Sequence, residues 1–224
     1  MRQKIITSIL LSALLLNLTG CSVIRHVTSP FLRLIGISTE DQQEIRIDPG
    51  SVLPGTKVTR KGTEINLLGT PIEVGQKLPF TALVDAMTMQ DVDLSGEHGK
   101  VLFLSLVPSI DTKVCEAQTH YLAEEGHRIA PYIRRITISR DTPFAQKRFA
   151  EAAELTDIQY LSDYKEGAFG RSLGLLMDGP RLLARSVIVI DKQGVVRYIQ
   201  VVPEITNLPD MEKAFDRALE IALE

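Results

Sequence analysis

The run Val101-Leu102-Phe103-Leu104-Ser105-Leu106-Val107 carries one hydroxyl and no charge over seven residues. A strand with one wet face alternates apolar and polar residues. A nearly continuous apolar run is what a strand covered on both faces requires. The chain must therefore build layers on both sides of a sheet.

The flanking patterns supply those layers. Val58 to Leu67 reads as two short strands around a turn at Gly62, and Phe80 to Val84 as a strand. Ala117 to Ala130 has a helical pattern, Arg135 to Ser139 is a strand, and Pro143 to Leu155 is a second helix. Asp141 or Thr142 can cap that helix, and Pro143 suits its first position. Ser186–Ile190 and Val195–Val202 flank Asp191-Lys192-Gln193-Gly194, a hairpin signal. Met211, Phe215, Ala218, Leu219 and Ala222 share one face of a last helix. Strands alternating with helices, and a late hairpin, predict an α/β domain with a mixed sheet flanked by helices. Hydrophobic residues make up 44% of the 224 and charged residues 24%, which excludes wholesale disorder. The 167 residues from Val58 onward are enough for one core.

The N-terminus has a different character. Arg2 and Lys4 precede the uncharged stretch Ile5 to Leu16. Those twelve residues would span roughly 18 Å as a helix, short of a hydrocarbon core of about 30 Å. A basic start, a short apolar run and small residues after it describe a secretory signal over residues 1–20. Leu18-Thr19-Gly20-Cys21 resembles the lipobox of bacterial lipoproteins. The resemblance implies cleavage before Cys21 and acylation of its thiol and new N-terminus. More than one acyl chain anchors firmly where a single chain is marginal. By the same resemblance, Ser22 after the cysteine favours the outer membrane, facing the periplasm.

Residues 21–57 then read as a lipidated N-terminus and tether, broken by Ser29-Pro30, Asp48-Pro49-Gly50 and Pro54-Gly55. Phe31-Leu32-Arg33-Leu34-Ile35 fits either packing on the domain or contact with a membrane surface. Removing residues 1–20 takes away two cations and no acid, so the net charge moves from −3 to −5. Such a balance gives no electrostatic reason to expect a nucleic-acid partner.

The chain has two cysteines, so a multi-disulfide scaffold is excluded. With Cys21 lipidated, Cys115 is the one thiol left. Pro108-Ser109-Ile110-Asp111-Thr112-Lys113-Val114-Cys115 follows the buried strand and enters a helix. Thr112 and Cys115, three apart, share a face. Cys115 falls in the first helical turn, where free N–H groups and the helix dipole favour an anion such as a thiolate. A lone cysteine is ordinarily a small buried hydrophobe. Polar neighbours at a strand-to-helix junction make a reactive thiol an equal alternative, and spacing alone leaves the two readings open.

The spacing Pro-x-x-x-Thr-x-x-Cys resembles the active-site motif of peroxiredoxins, and the wider string resembles their bacterial thiol peroxidase branch, the atypical two-cysteine type. Supporting segments are Phe80 to Val84, Asp141 to Phe149, Asp178-Gly179-Pro180 and Ala184 to Asp191. The similarity spans residues 58–224 in order. It implies a thioredoxin-like mixed sheet with an N-terminal hairpin and no cofactor. It also implies a hydroperoxide substrate, a thiol or dithiol reductant and a homodimer. Carried over by position, Cys115 is the peroxidatic cysteine, Thr112 and Pro108 shape its pocket, and Arg185 holds the thiolate and polarises the peroxide. One position departs from the pattern. Where this branch carries its resolving cysteine, after Phe149, the chain has Ala150. The resemblance then implies an enzyme of one-cysteine type, resolved by an external thiol. A rival reading is a peroxide sensor that oxidises once. A thioredoxin-like disulfide exchanger would need Cys-x-x-Cys, and position 112 is Thr.

Other candidates are weaker. His120, Glu124 and His127 lie at i, i+4 and i+7, but no further ligand completes a metal face. Arg134-Arg135 reads as strand-edge charge, and Asp216/Glu220 as the wet face of the last helix.

Overall fold

The computed structural model describes residues 45–124, 126 and 133–224. The expected signal, Cys21, the Phe31–Ile35 stretch, His127 and the end of the Ala117–Ala130 pattern lie outside them.

The elements run β1 (Ile47–Asp48), β2 (Lys57–Arg60), β3 (Thr63–Leu68), β4 (Ala82–Asp85), β5 (Asp91–Asp93), β6 (Val101–Leu106) and α1 (Lys113–Glu124). They continue with β7 (Ile133–Ser139), α2 (Pro143–Ala152), β8 (Gln159–Ser162), α3 (Ala168–Ser172) and β9 (Leu176–Met177). The last are β10 (Ser186–Ile190), β11 (Val196–Val201), β12 (Leu208–Pro209) and α4 (Met211–Leu223). The main sheet has the order β11-β10-β6-β7-β8-β4-β5. Strands β6, β7 and β8 are parallel, and every other pairing in this sheet is antiparallel. This is the expected mixed sheet, with α1 and α2 as the crossovers that parallel neighbours require.

The apolar run is the central strand β6, and all six of its residues are fully buried. Period-two alternation sends them to different cores. Leu102, Leu104 and Leu106 join the cluster under β2, β3 and α3, which includes Val58, Leu67, Phe169 and Met177. Val101 and Phe103 join the cluster under the helices, with Leu122, Ala150, Met211, Phe215 and Ala218. Ser105 points to the helical side, where the buried Gln118 amide donates to its hydroxyl at 2.8 Å. The hydroxyl that interrupts the run therefore has a partner across the layer.

The N-terminal hairpin forms around Lys61-Gly62, with φ of +50° and +80°. Positive φ at both central residues is the two-residue turn that matches strand twist, and it favours glycine. Thr142 is the cap of α2, accepting from the Ala145 N–H, and Pro143 is the first helical residue. Asp210 caps α4 in the same way through Lys213 N–H.

Three expectations need correction. The domain does not begin at Val58. Strand β1 pairs in parallel with β12, Val52 N–H donates to the Val201 carbonyl at 3.0 Å, and Gly55 N–H to the Gly174 carbonyl at 2.8 Å. The Pro-Gly breakers in residues 47–57 make tight turns that dock an extended segment. A Cβ at Gly55 would stand 2.4 Å from Pro71 Cγ. Secondly, the first helix starts at Lys113, four residues before the pattern read from Ala117, and this start puts Cys115 in the first turn as expected. Thirdly, Arg134 and Arg135 are not on a sheet edge, because β7 lies between β6 and β8. Arg135 donates to the Leu122 and Ala123 carbonyls at the end of α1 and pairs with Asp157. Cations at a helix C-terminus satisfy its free carbonyls and its dipole. Arg134 pairs with Glu97 and bonds Gln159.

Candidate active site around Cys115

Strand β6 delivers the chain to Val107, whose N–H donates to the Ile138 carbonyl at 3.0 Å. The chain must then turn into α1 within a few residues. The Asp141 carboxylate holds that turn. It accepts from the Ser109 hydroxyl at 2.9 Å, the Ile110 N–H at 2.6 Å and the Ser139 hydroxyl at 2.7 Å. Asp141 thus ties the 108–112 loop to the end of β7, while Thr142 does the capping. Glu116 N–H donates to the Thr112 carbonyl at 2.9 Å as α1 begins, which makes Cys115 its third residue.

Cys115 is a free thiol with no exposed surface. Two donors converge on its sulfur, the Thr112 hydroxyl at 3.0 Å and Arg185 Nη2 at 3.3 Å. Arg185 sits just before β10 and is only 2% exposed. Its Nη1 donates to Gln118 Oε1 at 2.7 Å and the Val114 carbonyl at 3.4 Å, and its Nε to the Ile205 carbonyl at 2.8 Å. These partners are neutral acceptors. No carboxylate pairs with Arg185 among the described residues. A buried guanidinium without a counterion is costly. Negative charge that develops on the sulfur or on an oxygen bound beside it falls within reach of this guanidinium.

Beside the thiol lies a cavity of about 210 Å³. Pro108, Thr112, Met177, Leu182, Arg185 and Ile205 are in its wall. The buried Pro108 forms part of that wall without offering an N–H to solvent. The structure therefore brings the three motif residues, Pro108, Thr112 and Cys115, together with Arg185 from a segment some seventy residues further on. Ala150 is fully buried in α2 and joins the same apolar cluster as Cys115. No second thiol exists among the described residues. His120 stands apart from this group: its ring bonds Glu124 at 2.8 Å, and no group of metal-ligand residues occurs among the described residues.

Sequence reasoning missed Gln118, Asp141 in its loop-holding role, and the segment at residues 203–206. Gln118 had a usable signal. It lies three residues after Cys115, as Cys115 lies three after Thr112, so one helical face carries all three. Asp141 was masked by its own plausibility as a cap. Glu204 gave little local signal, since Thr59, Lys61 and Gly62 are more than a hundred residues away and Thr206 alone is near in sequence. Burial alone would raise the Glu204 carboxyl. The N–H groups of Lys61 and Gly62 and the hydroxyls of Thr206 and Thr59 outweigh it and hold the group below the ordinary glutamate value.

Comparison with known proteins agrees with this geometry. The family model described as Redoxin matches residues 73–217. A thiol peroxidase of Halalkalibacterium halodurans is 43% identical over 162 residues, covering 72% of this chain and 96% of the relative. A thiol peroxidase of Bacillus subtilis is 39% identical over 163 residues, with the same coverage. Among solved structures, a peroxiredoxin-like protein from Aquifex aeolicus aligns at TM-score 0.68 and 31% identity, covering 75% of this chain and 98% of that one.

Proposed function

The chain belongs to the Redoxin family and is a thiol-dependent peroxidase, and from that premise we propose that Cys115 is its peroxidatic residue, served by Thr112, Arg185 and Pro108. The observation that carries this assignment is the convergence of Thr112 and Arg185 on one buried sulfur. The thiolate attacks the terminal oxygen of a hydroperoxide. The S–O bond forms as the O–O bond breaks, and the leaving oxygen departs as alcohol or water once protonated. Cys115 is left as a sulfenic acid. Arg185 stabilises the negative charge that moves from sulfur to the leaving oxygen, and the Thr112 hydroxyl donates to whichever atom carries it. Pro108 keeps that side of the pocket free of water.

Resolution is external. With alanine at position 150, a reductant thiol attacks the sulfenic sulfur, releases water and leaves a mixed disulfide that a second thiol opens. The apolar wall of the cavity suits alkyl and lipid hydroperoxides as well as hydrogen peroxide. The lipobox-like Leu18-Thr19-Gly20-Cys21 supports anchoring through acylated Cys21 at the bacterial envelope, with the domain facing the periplasm. The family resemblance supports a homodimer. Two observations favour a second reading, a peroxide sensor with little turnover: Ala150 and the complete burial of Cys115. Peroxide consumption with added mono- and dithiols separates the two. Repeated turnover that Cys115→Ser abolishes supports the peroxidase; a single equivalent consumed with every donor supports the sensor.

A further inference from the structure

Arg185 is held on two sides. Gln118 and Val114, which bond its Nη1, both belong to α1, the helix that also carries Cys115. The Ile205 carbonyl, which accepts from Nε, is the one hydrogen-bond partner of the guanidinium outside that helix among the described residues. Ile205 has no regular strand to fix it. It lies in the stretch between β11 and β12, and that stretch runs beside β2. Thr59 N–H donates to the Pro203 carbonyl at 2.7 Å, and Ile205 N–H donates to the Thr59 carbonyl at 2.9 Å.

The Glu204 carboxylate closes this arrangement. One oxygen accepts from Lys61 N–H at 3.0 Å, Thr206 N–H at 3.2 Å and the Thr206 hydroxyl at 2.8 Å. The other accepts from the Thr59 hydroxyl at 3.0 Å and Gly62 N–H at 3.2 Å. The left-handed backbone at Lys61 and Gly62 aims two successive N–H groups at the same carboxylate. Glu204 therefore joins the tip of the N-terminal hairpin to both sides of Ile205. Ile205 and Thr206, and Arg60 and Ile65 of the hairpin, also line the cavity beside Cys115.

We propose that Glu204 is a positioning residue for peroxide reduction: by clasping the hairpin turn it fixes the Ile205 carbonyl, and through it the Arg185 guanidinium, against Cys115. The assignment rests on Cys115 and Arg185 acting as described above. A planar guanidinium stabilises a transition state only when its donors are aimed, and small displacements are expensive. The clasp holds Arg185 from the side that does not move with α1. It also gives the N-terminal hairpin a part in the chemistry although neither donor to the sulfur belongs to it.

The test is the second-order rate constant for oxidation of Cys115 by hydrogen peroxide, measured with the thermal midpoint of each variant. Glu204→Gln replaces an acceptor oxygen with an amide that faces N–H donors, and it should slow oxidation by about tenfold. Thr206→Ala, which removes one donor, should fall between it and wild type. Glu64→Gln breaks the exposed Lys57–Glu64 pair on the same hairpin and should leave the rate unchanged. In an Arg185→Ala background, Glu204→Gln should change the rate by less than about twofold, because the two act through one group. A Glu204→Gln protein that melts earlier but oxidises at the wild-type rate would overturn the assignment. So would losses that multiply with Arg185→Ala. Wild type that fails to oxidise at all would instead overturn the peroxidase reading beneath it.

Discussion

At the residue scale, a buried cation with neutral partners dominates the surroundings of the thiol. Arg185 has no carboxylate partner among the described residues, and it donates to the Cys115 sulfur at 3.3 Å. Arg185→Ala should slow alkylation and peroxide oxidation of Cys115 by about a hundredfold, the scale of losing one preorganised donor. Arg185→Lys should restore little, because an ammonium cannot reach Ile205, Gln118 and the sulfur from one plane. Alkylation rate against pH checks both. Ala150 carries the second prediction at this scale. Ala150→Cys should give an intrachain disulfide with Cys115 after peroxide only if α2 opens locally, and non-reducing peptide mapping would detect it. Cys115, Thr112 and Pro108 could be picked out in the sequence because a motif with fixed spacing carries them, and Arg185 only through the family resemblance of its segment. Gln118 and Glu204 were not, since a buried amide and a half-buried carboxylate acquire their meaning from partners that only the fold brings near.

At the element scale, period and punctuation decided what could be read. The central strand, the hairpins and α4 were legible because each carries a strong pattern over several residues. Short elements such as β5, β9 and α3 were not, since two to five residues hold too little periodicity. The breakers in residues 47–57 misled for a physical reason. A tight turn needs the same residues whether it joins domains or docks a segment on a sheet. The hairpin clasp makes a pH prediction. Glu204 is held below the ordinary glutamate value, so its contribution to stability is complete above that value and is lost as pH falls through its folded one. The stability difference between wild type and Glu204→Gln should thus hold steady from neutral pH down to about pH 5 and shrink below it. Urea midpoints across that range test this.

At the scale of the whole molecule, the chain joins a Redoxin domain to an N-terminal stretch with the features of a lipoprotein signal. If Cys21 is acylated, cells given a fatty-acid analogue should label the wild-type protein and not Cys21→Ala, and the variant should leave the membrane fraction or stay uncleaved. Wild type without label would end the lipoprotein proposal and leave the peroxidase untouched. Acylation would also leave Cys115 as the sole thiol, so oxidation has one place to go. The most direct measurement of the central claim is therefore the intact mass of the folded protein after one equivalent of hydrogen peroxide, with and without a sulfenic-acid trap. One added oxygen, a trap adduct at Cys115 and no intrachain disulfide are the expected result. An added thiol should return the original mass, and excess peroxide should add a second oxygen. A folded protein whose Cys115 remains unmodified would contradict that claim.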